Sequence, residues 1–146
     1  MMYTKFIKEE VVIMRWRVAF ICIHNSCRSQ MAEGWAKHLY SDVLDVYSAG
    51  TESYPAIKPK AVEVMEEKGV NMQKQYPKTL EALPNAFDVV ITMGCGVECP
   101  YIPFVHREDW GLDDPSGGPL DAFRQTRDII ERRVHDLVDR LKTDTL

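Results

Sequence analysis

At 146 residues, 45% of them hydrophobic and 27% charged, the chain fits one globular domain with one sizeable core and leaves no room for a second. A net charge of −4 speaks against general binding to nucleic acid or an anionic membrane surface, so any anion affinity has to come from a local site. No stretch approaches eighteen apolar residues and the first residues carry no apolar leader core, which predicts a cytoplasmic protein without a membrane span, whose four cysteines are thiols for chemistry and not structural disulfides.

In chain order, residues 1–15 read as an N-terminal extension of unassigned role, and 16–146 as the domain. Residues 17–23 are an almost unbroken apolar run, as in a central parallel strand buried on both faces. Residues 29–40 place Met31, Trp35, His38 and Leu39 at helical spacing, and 43–49 form a second strand ended by Gly50. A helix over 59–68 has Pro59 in its first turn, Ala61, Val62, Val64 and Met65 as its stripe, and Gly69 after it. A short helix over 79–83, strands over 87–93 and 104–107, and a long amphipathic helix over 120–141 complete the chain. Strands alternating with helices predict an α/β fold: a single three-layer domain with a four-stranded parallel sheet flanked by helices.

The run Cys22-Ile23-His24-Asn25-Ser26-Cys27-Arg28-Ser29 stands where the first strand gives way to the first helix. A loop of this length can turn consecutive backbone N–H groups of residues 23–28 inward, forming an anion nest closed by the helix N-terminus. Arg28 adds a planar fork that grips two oxygens of a tetrahedral oxyanion. A thiol on the floor of that cradle sees the same positive field, which predicts Cys22 as a reactive thiolate. The competing reading, a buried core cysteine with an arginine capping a turn, is weakened by the whole string falling between a strand and a helix.

Ligands in such sheets bind beyond the carboxyl ends of the strands. Cys95, in Met93-Gly94-Cys95-Gly96-Val97-Glu98-Cys99-Pro100, follows the third strand, so it emerges over the same crevice as Cys22 if the two strands are neighbours. The loop after the fourth strand carries Trp110-Gly111-Leu112-Asp113-Asp114-Pro115 and can bring an acid to that edge. Cys95 and Cys99 near His106 lack two further ligands at metal-binding spacing, so neither a metal nor a cofactor is predicted.

These strings, with Val46-Tyr47-Ser48-Ala49-Gly50-Thr51, resemble the thioredoxin-coupled arsenate reductases, which share the low-molecular-weight tyrosine phosphatase fold, over roughly residues 16–141. The resemblance implies Cys22 as nucleophile, Arg28 as oxyanion clamp, Ser29 as the hydroxyl bonded to the thiolate, Asn25 as the keeper of the loop's shape and Asp114 as general acid, with Asp113 as its rival. It implies Cys95 and Cys99 as the second and third thiols of a redox relay, Cys27 as a bystander, arsenate as substrate with phosphate or sulfate as mimics, and thioredoxin as reductant. The alternative it carries is a tyrosine phosphatase acting through a phosphocysteine on Cys22. The chain departs from the pattern in three places. His24 stands where the family often has glycine and is expected to point to solvent. Only three residues separate Cys95 from Cys99, fewer than is usual. Lys78 takes the place of an acidic residue that, with Asn25, Glu33 and Ser48, would complete a potassium site, so no potassium site is expected.

Overall fold

The computed structural model describes residues 3–7, 10–94 and 102–146. Among the described residues, six strands and three α-helices follow in the order β1 (Tyr3–Ile7), β2 (Glu10–Met14), β3 (Trp16–Cys22), α1 (Arg28–Tyr40), β4 (Leu44–Gly50), α2 (Pro59–Glu66), β5 (Phe87–Thr92), β6 (Phe104–Asp109) and α3 (Leu120–Thr143), with a 3-10 turn at Leu80–Ala82 before β5. The domain is α/β, as the alternation predicts. β4, β3, β5 and β6 lie side by side in that order as one parallel sheet.

The apolar run of β3 is explained by its central place. Val18, Phe20 and Cys22 point to the face covered by α1, α2 and α3, whereas Ala19 and Ile21 point to the other, as the two-residue period of a strand requires. That second face is closed by Leu80, Leu83, Ile102 and Tyr47. β3 starts one residue earlier than the apolar run suggests, because the Trp16 N–H reaches Val43 O at 3.0 Å. It ends at Cys22, since the Ile23 carbonyl accepts instead from Glu52 N at 2.8 Å.

Other boundaries shift for equally local reasons. α2 stops at Glu66, two residues short of the predicted end, and Gly69 at φ 76° completes the reversal of the chain. The short helix over 79–83 is a single 3-10 turn. β6 runs two residues past the expected end at residue 107, because Glu108 and Asp109 keep pairing with Ile91 and Thr92 of β5. α3 runs on to Thr143 and ends at Asp144, in left-handed backbone at φ 55°.

Within residues 1–15, β1 and β2 form a separate two-stranded antiparallel sheet that pairs Tyr3 with Met14 and Ile7 with Glu10. Among the described residues no helix is long and apolar enough to cross a membrane. The carboxyl ends of β3, β4, β5 and β6 deliver Cys22, Gly50, Met93 and Trp110 to one edge of the sheet, where the loops build a cavity.

Candidate active site

β3 and β5 are hydrogen-bonded neighbours, with Ile21 opposite Thr92, so the chain leaves both strands over one crevice. The β3–α1 loop forms a cradle there. Asn25 takes left-handed backbone at φ 52°, which turns its own N–H back to Cys22 Sγ at 3.1 Å. Ser29 Oγ lies 2.8 Å from the same sulfur. Because Ser29 Oγ already accepts from Asn25 Nδ2 at 2.8 Å, its single hydrogen is available to the Cys22 sulfur. Cys27 at the helix N-cap makes no side-chain capping bond, leaving the first N–H groups of α1 to meet an anion.

Gly50 makes this loop possible: its bare Cα passes so close that a Cβ would lie 2.5 Å from the Ile23 carbonyl oxygen. The strand end and the loop are stitched together by Thr51 N to Cys22 O (3.1 Å) and Glu52 N to Ile23 O (2.8 Å), and Lys58 N reaches Ser26 O at 2.8 Å.

Arg28 is 5% exposed. Its Nη1 donates to Met93 O at 3.2 Å and Leu112 O at 2.8 Å, and its Nη2 stands 3.7 Å from Asp114 Oδ2. The guanidinium is thus aimed by two backbone carbonyls and faces the acid across the cavity. At the mouth, partial burial works to raise the Asp114 carboxyl. The Ser116 N–H at 3.0 Å and the charges of Arg28 and Lys58 outweigh it and hold the group below its ordinary range. The Cys27 thiol is pushed up to about 12, mainly by burial and then by Asp114, with Arg28 opposing.

Behind the cradle lies a buried polar chain. Asn25 Nδ2 donates to Ser48 Oγ at 2.9 Å, and Ser48 Oγ donates to Glu33 Oε1 at 2.5 Å. Glu33, 2% exposed, also meets Lys37 Nζ at 2.8 Å and Lys78 Nζ at 3.5 Å. The Lys78 ammonium therefore stands at the carboxylate, as its substitution for an acid suggests. Burial lowers its pKa while Glu33 works in the opposite sense.

Cys22, Ile23, His24, Ser26, Cys27, Arg28 and Asp114 all line one cavity of about 290 Å³. Asn25 and Ser29 support it from beneath, and Asp113 is not in its wall. His24 does not simply face solvent: its ring stacks on Tyr54 with centroids 4.8 Å apart, and its Nε2 lies 3.2 Å from Glu52 Oε2. Sequence reasoning missed Tyr54 and Lys58, which also line the cavity; the signal available was the position of Lys58 beside the helix-opening Pro59. Cys95 and Cys99 lie outside the described residues. Among the described residues no group of three His, Cys, Asp or Glu side chains is placed to hold a metal ion.

Residues 17–146 match the family described as low molecular weight phosphotyrosine protein phosphatase. An arsenate reductase of Staphylococcus aureus (strain Newman) is 40% identical over 128 residues, covering 84% of this chain and 96% of its own. A solved arsenate reductase in a phosphate-binding state superposes with a TM-score of 0.80 at 40% identity, covering 87% of this chain and 98% of its own. A thioredoxin-dependent arsenate reductase of Corynebacterium glutamicum gives a TM-score of 0.74 at 33% identity, covering 89% of this chain and 63% of its own. On these likenesses the chain belongs to the low molecular weight phosphotyrosine protein phosphatase family, among its arsenate reductases.

Proposed function

We propose that the protein reduces arsenate to arsenite in the cytoplasm through a relay of Cys22, Cys95 and Cys99, and that thioredoxin reduces the final disulfide. The observation that carries the reading is the convergence on Cys22 Sγ of the Asn25 N–H and the Ser29 hydroxyl, beside a guanidinium held ready for an oxyanion. The likeness to arsenate reductases and the presence of two further thiols after β5 support reduction over hydrolysis.

In this scheme the loop amides, the α1 N-terminus and Arg28 bind arsenate and align it for in-line attack by Cys22. A sulfur–arsenic bond forms and an arsenic–oxygen bond breaks. The Ser116 hydrogen bond, with the charges of Arg28 and Lys58, holds the Asp114 carboxyl below its ordinary range in the free protein. Once the anion engages these cations, Asp114 takes up a proton and gives it to the departing oxygen, which leaves as water. Cys95 then attacks Cys22 Sγ; the sulfur–arsenic electron pair goes to arsenic, arsenite leaves, and a Cys22–Cys95 disulfide remains. Cys99 attacks Cys95, frees Cys22, and the Cys95–Cys99 disulfide passes to thioredoxin by thiol–disulfide exchange. Three residues separate Cys95 from Cys99, a span that a turn can close to the roughly 7 Å limit between Cα atoms.

One observation favours a second activity. The stacked His24 and Tyr54 rings give the mouth an aromatic wall, suited to an aryl phosphomonoester hydrolysed through a phosphocysteine on Cys22. Thioredoxin-coupled arsenate reduction measured beside p-nitrophenyl phosphate hydrolysis separates the two. Cys95→Ser and Cys99→Ser are expected to abolish multiple-turnover reduction and spare hydrolysis, and Cys22→Ser to abolish both. Wild-type protein that oxidises no thioredoxin upon arsenate addition would overturn the relay.

A further inference from the structure

The cavity lined by Cys22 and Arg28 holds a second cation with its own support. Lys58 Nζ donates to Tyr54 Oη at 2.6 Å and sits 4.7 Å from the centre of the Tyr54 ring. That hydrogen bond uses one of the three N–H donors of an ammonium. The backbone of the same residue is tied to the cradle, through Lys58 N to Ser26 O at 2.8 Å. Pro59, at the start of α2, restricts the backbone of the residue before it to the extended form seen for Lys58, at φ −59° and ψ 126°. A long, flexible side chain is thereby held by a ring, a hydroxyl and a fixed backbone in the wall of the cavity that contains Cys22. A lysine serving only as surface charge needs none of these restraints.

Arg28 alone leaves the charge in this cavity unbalanced. Its Nη1 is already committed to the carbonyls of Met93 and Leu112, and its Nη2 faces Asp114. A doubly charged tetrahedral oxyanion then has to be met by the remaining guanidinium donors, the loop amides and one further cation.

We infer that Lys58, clasped by Tyr54, is a second oxyanion-binding residue of this site, facing Asp114 in the free protein and transferring its charge to the bound arsenate or phosphate. The Tyr54 hydroxyl raises the pKa of the ammonium, against the effect of its partial burial, so the charge is retained at neutral pH. The inference rests on the cradle binding an oxyanion, and not on the later thiol relay.

The test is phosphate affinity by calorimetry, together with KM and kcat for arsenate, in wild type, Lys58→Met, Lys58→Arg and Tyr54→Phe. Loss of a charged hydrogen bond at a half-buried wall is expected to weaken phosphate binding and raise the arsenate KM about tenfold in Lys58→Met, with a smaller fall in kcat. Lys58→Arg should recover most of the affinity, and Tyr54→Phe, which keeps the ring and removes only the hydroxyl, should lose about threefold. If Lys58→Met unfolds, the other two variants carry the same comparison. Wild-type phosphate affinity in Lys58→Met overturns the inference and, where that variant does not fold, wild-type affinity in Tyr54→Phe does. So does an arginine variant no better than the methionine one, which would mark a structural role. Wild-type protein that binds phosphate but does not oxidise thioredoxin would remove the relay and leave the Lys58 comparison intact.

Discussion

Gly50 is a position where one added methyl group should harm the cradle directly. Its backbone does not have a positive φ, so alanine meets no dihedral penalty and the effect isolates steric contact. A Cβ there would lie 2.5 Å from Ile23 O, 2.8 Å from the His24 carbonyl carbon and 2.9 Å from Asn25 N. All three are backbone atoms that cannot rotate away. Reaching an ordinary contact of 3.4 Å from 2.5 Å means a retreat of about 0.9 Å by the β3–α1 loop or the end of β4. Overpacking of this kind costs about 1–3 kcal/mol, which in a domain of this size is a fall in Tm of roughly 3–12 °C. The functional loss should be larger, because misplacing reacting groups by about 1 Å can cost on the order of a hundredfold in rate. Arsenate kcat/KM, phosphate affinity by calorimetry and a thermal scan on Gly50→Ala measure both parts. A folded variant that binds phosphate within about twofold of wild type would refute the close approach as the determinant of cradle shape.

Two further expectations concern titration. With its pKa pushed up to about 12 by burial and Asp114, Cys27 should stay unalkylated by iodoacetamide in the native protein up to about pH 9; site-resolved mass spectrometry checks this, and labelling of Cys27 at pH 8 would contradict it. Glu67 is held down from 4.5 to about 2, first by its hydrogen bonds to Arg124 and then by Arg127 against partial desolvation. A carboxylate with a depressed folded-state pKa adds stability that is present above the unfolded value and lost as pH falls through the folded one. Glu67→Gln should therefore flatten the dependence of Tm on pH between about 4.5 and 2, and an unchanged slope would mean that these ion pairs persist in the unfolded chain.

The central sheet could be read from the sequence because β3 is buried on both faces and so is apolar at every position from Val18 to Cys22. β6 was harder to read: its exposed edge carries His106, Arg107, Glu108 and Asp109, and only pairing with β5 defines its length. β1 and β2 contain β-forming residues, but nothing in the sequence of residues 1–15 says what they pair with, and only the pairing defines them. In the site, Cys22 and Arg28 are local to one motif and were legible. Tyr54 and Lys58 were not, since their place depends on backbone bonds from the β4–α2 loop to Cys22, Ile23 and Ser26. Gln30 and Glu33 look like the polar side of α1, yet both are buried because they serve the loop through Asn25 and Ser48.

The bonds from Arg28 Nη1 to Met93 O and Leu112 O have a thermodynamic consequence. These two carbonyls lie on either side of the stretch of sequence that carries Cys95 and Cys99, and a single guanidinium joins them to the oxyanion cradle. Any reaction of those thiols that displaces either carbonyl must alter the hold on the anion. Linkage then makes the exchange reciprocal: the factor by which oxidation changes phosphate affinity equals the factor by which phosphate changes the dithiol–disulfide equilibrium. Titrating the redox midpoint at increasing phosphate would measure that factor, and with it the degree to which one arginine couples substrate binding to the oxidation state of the protein.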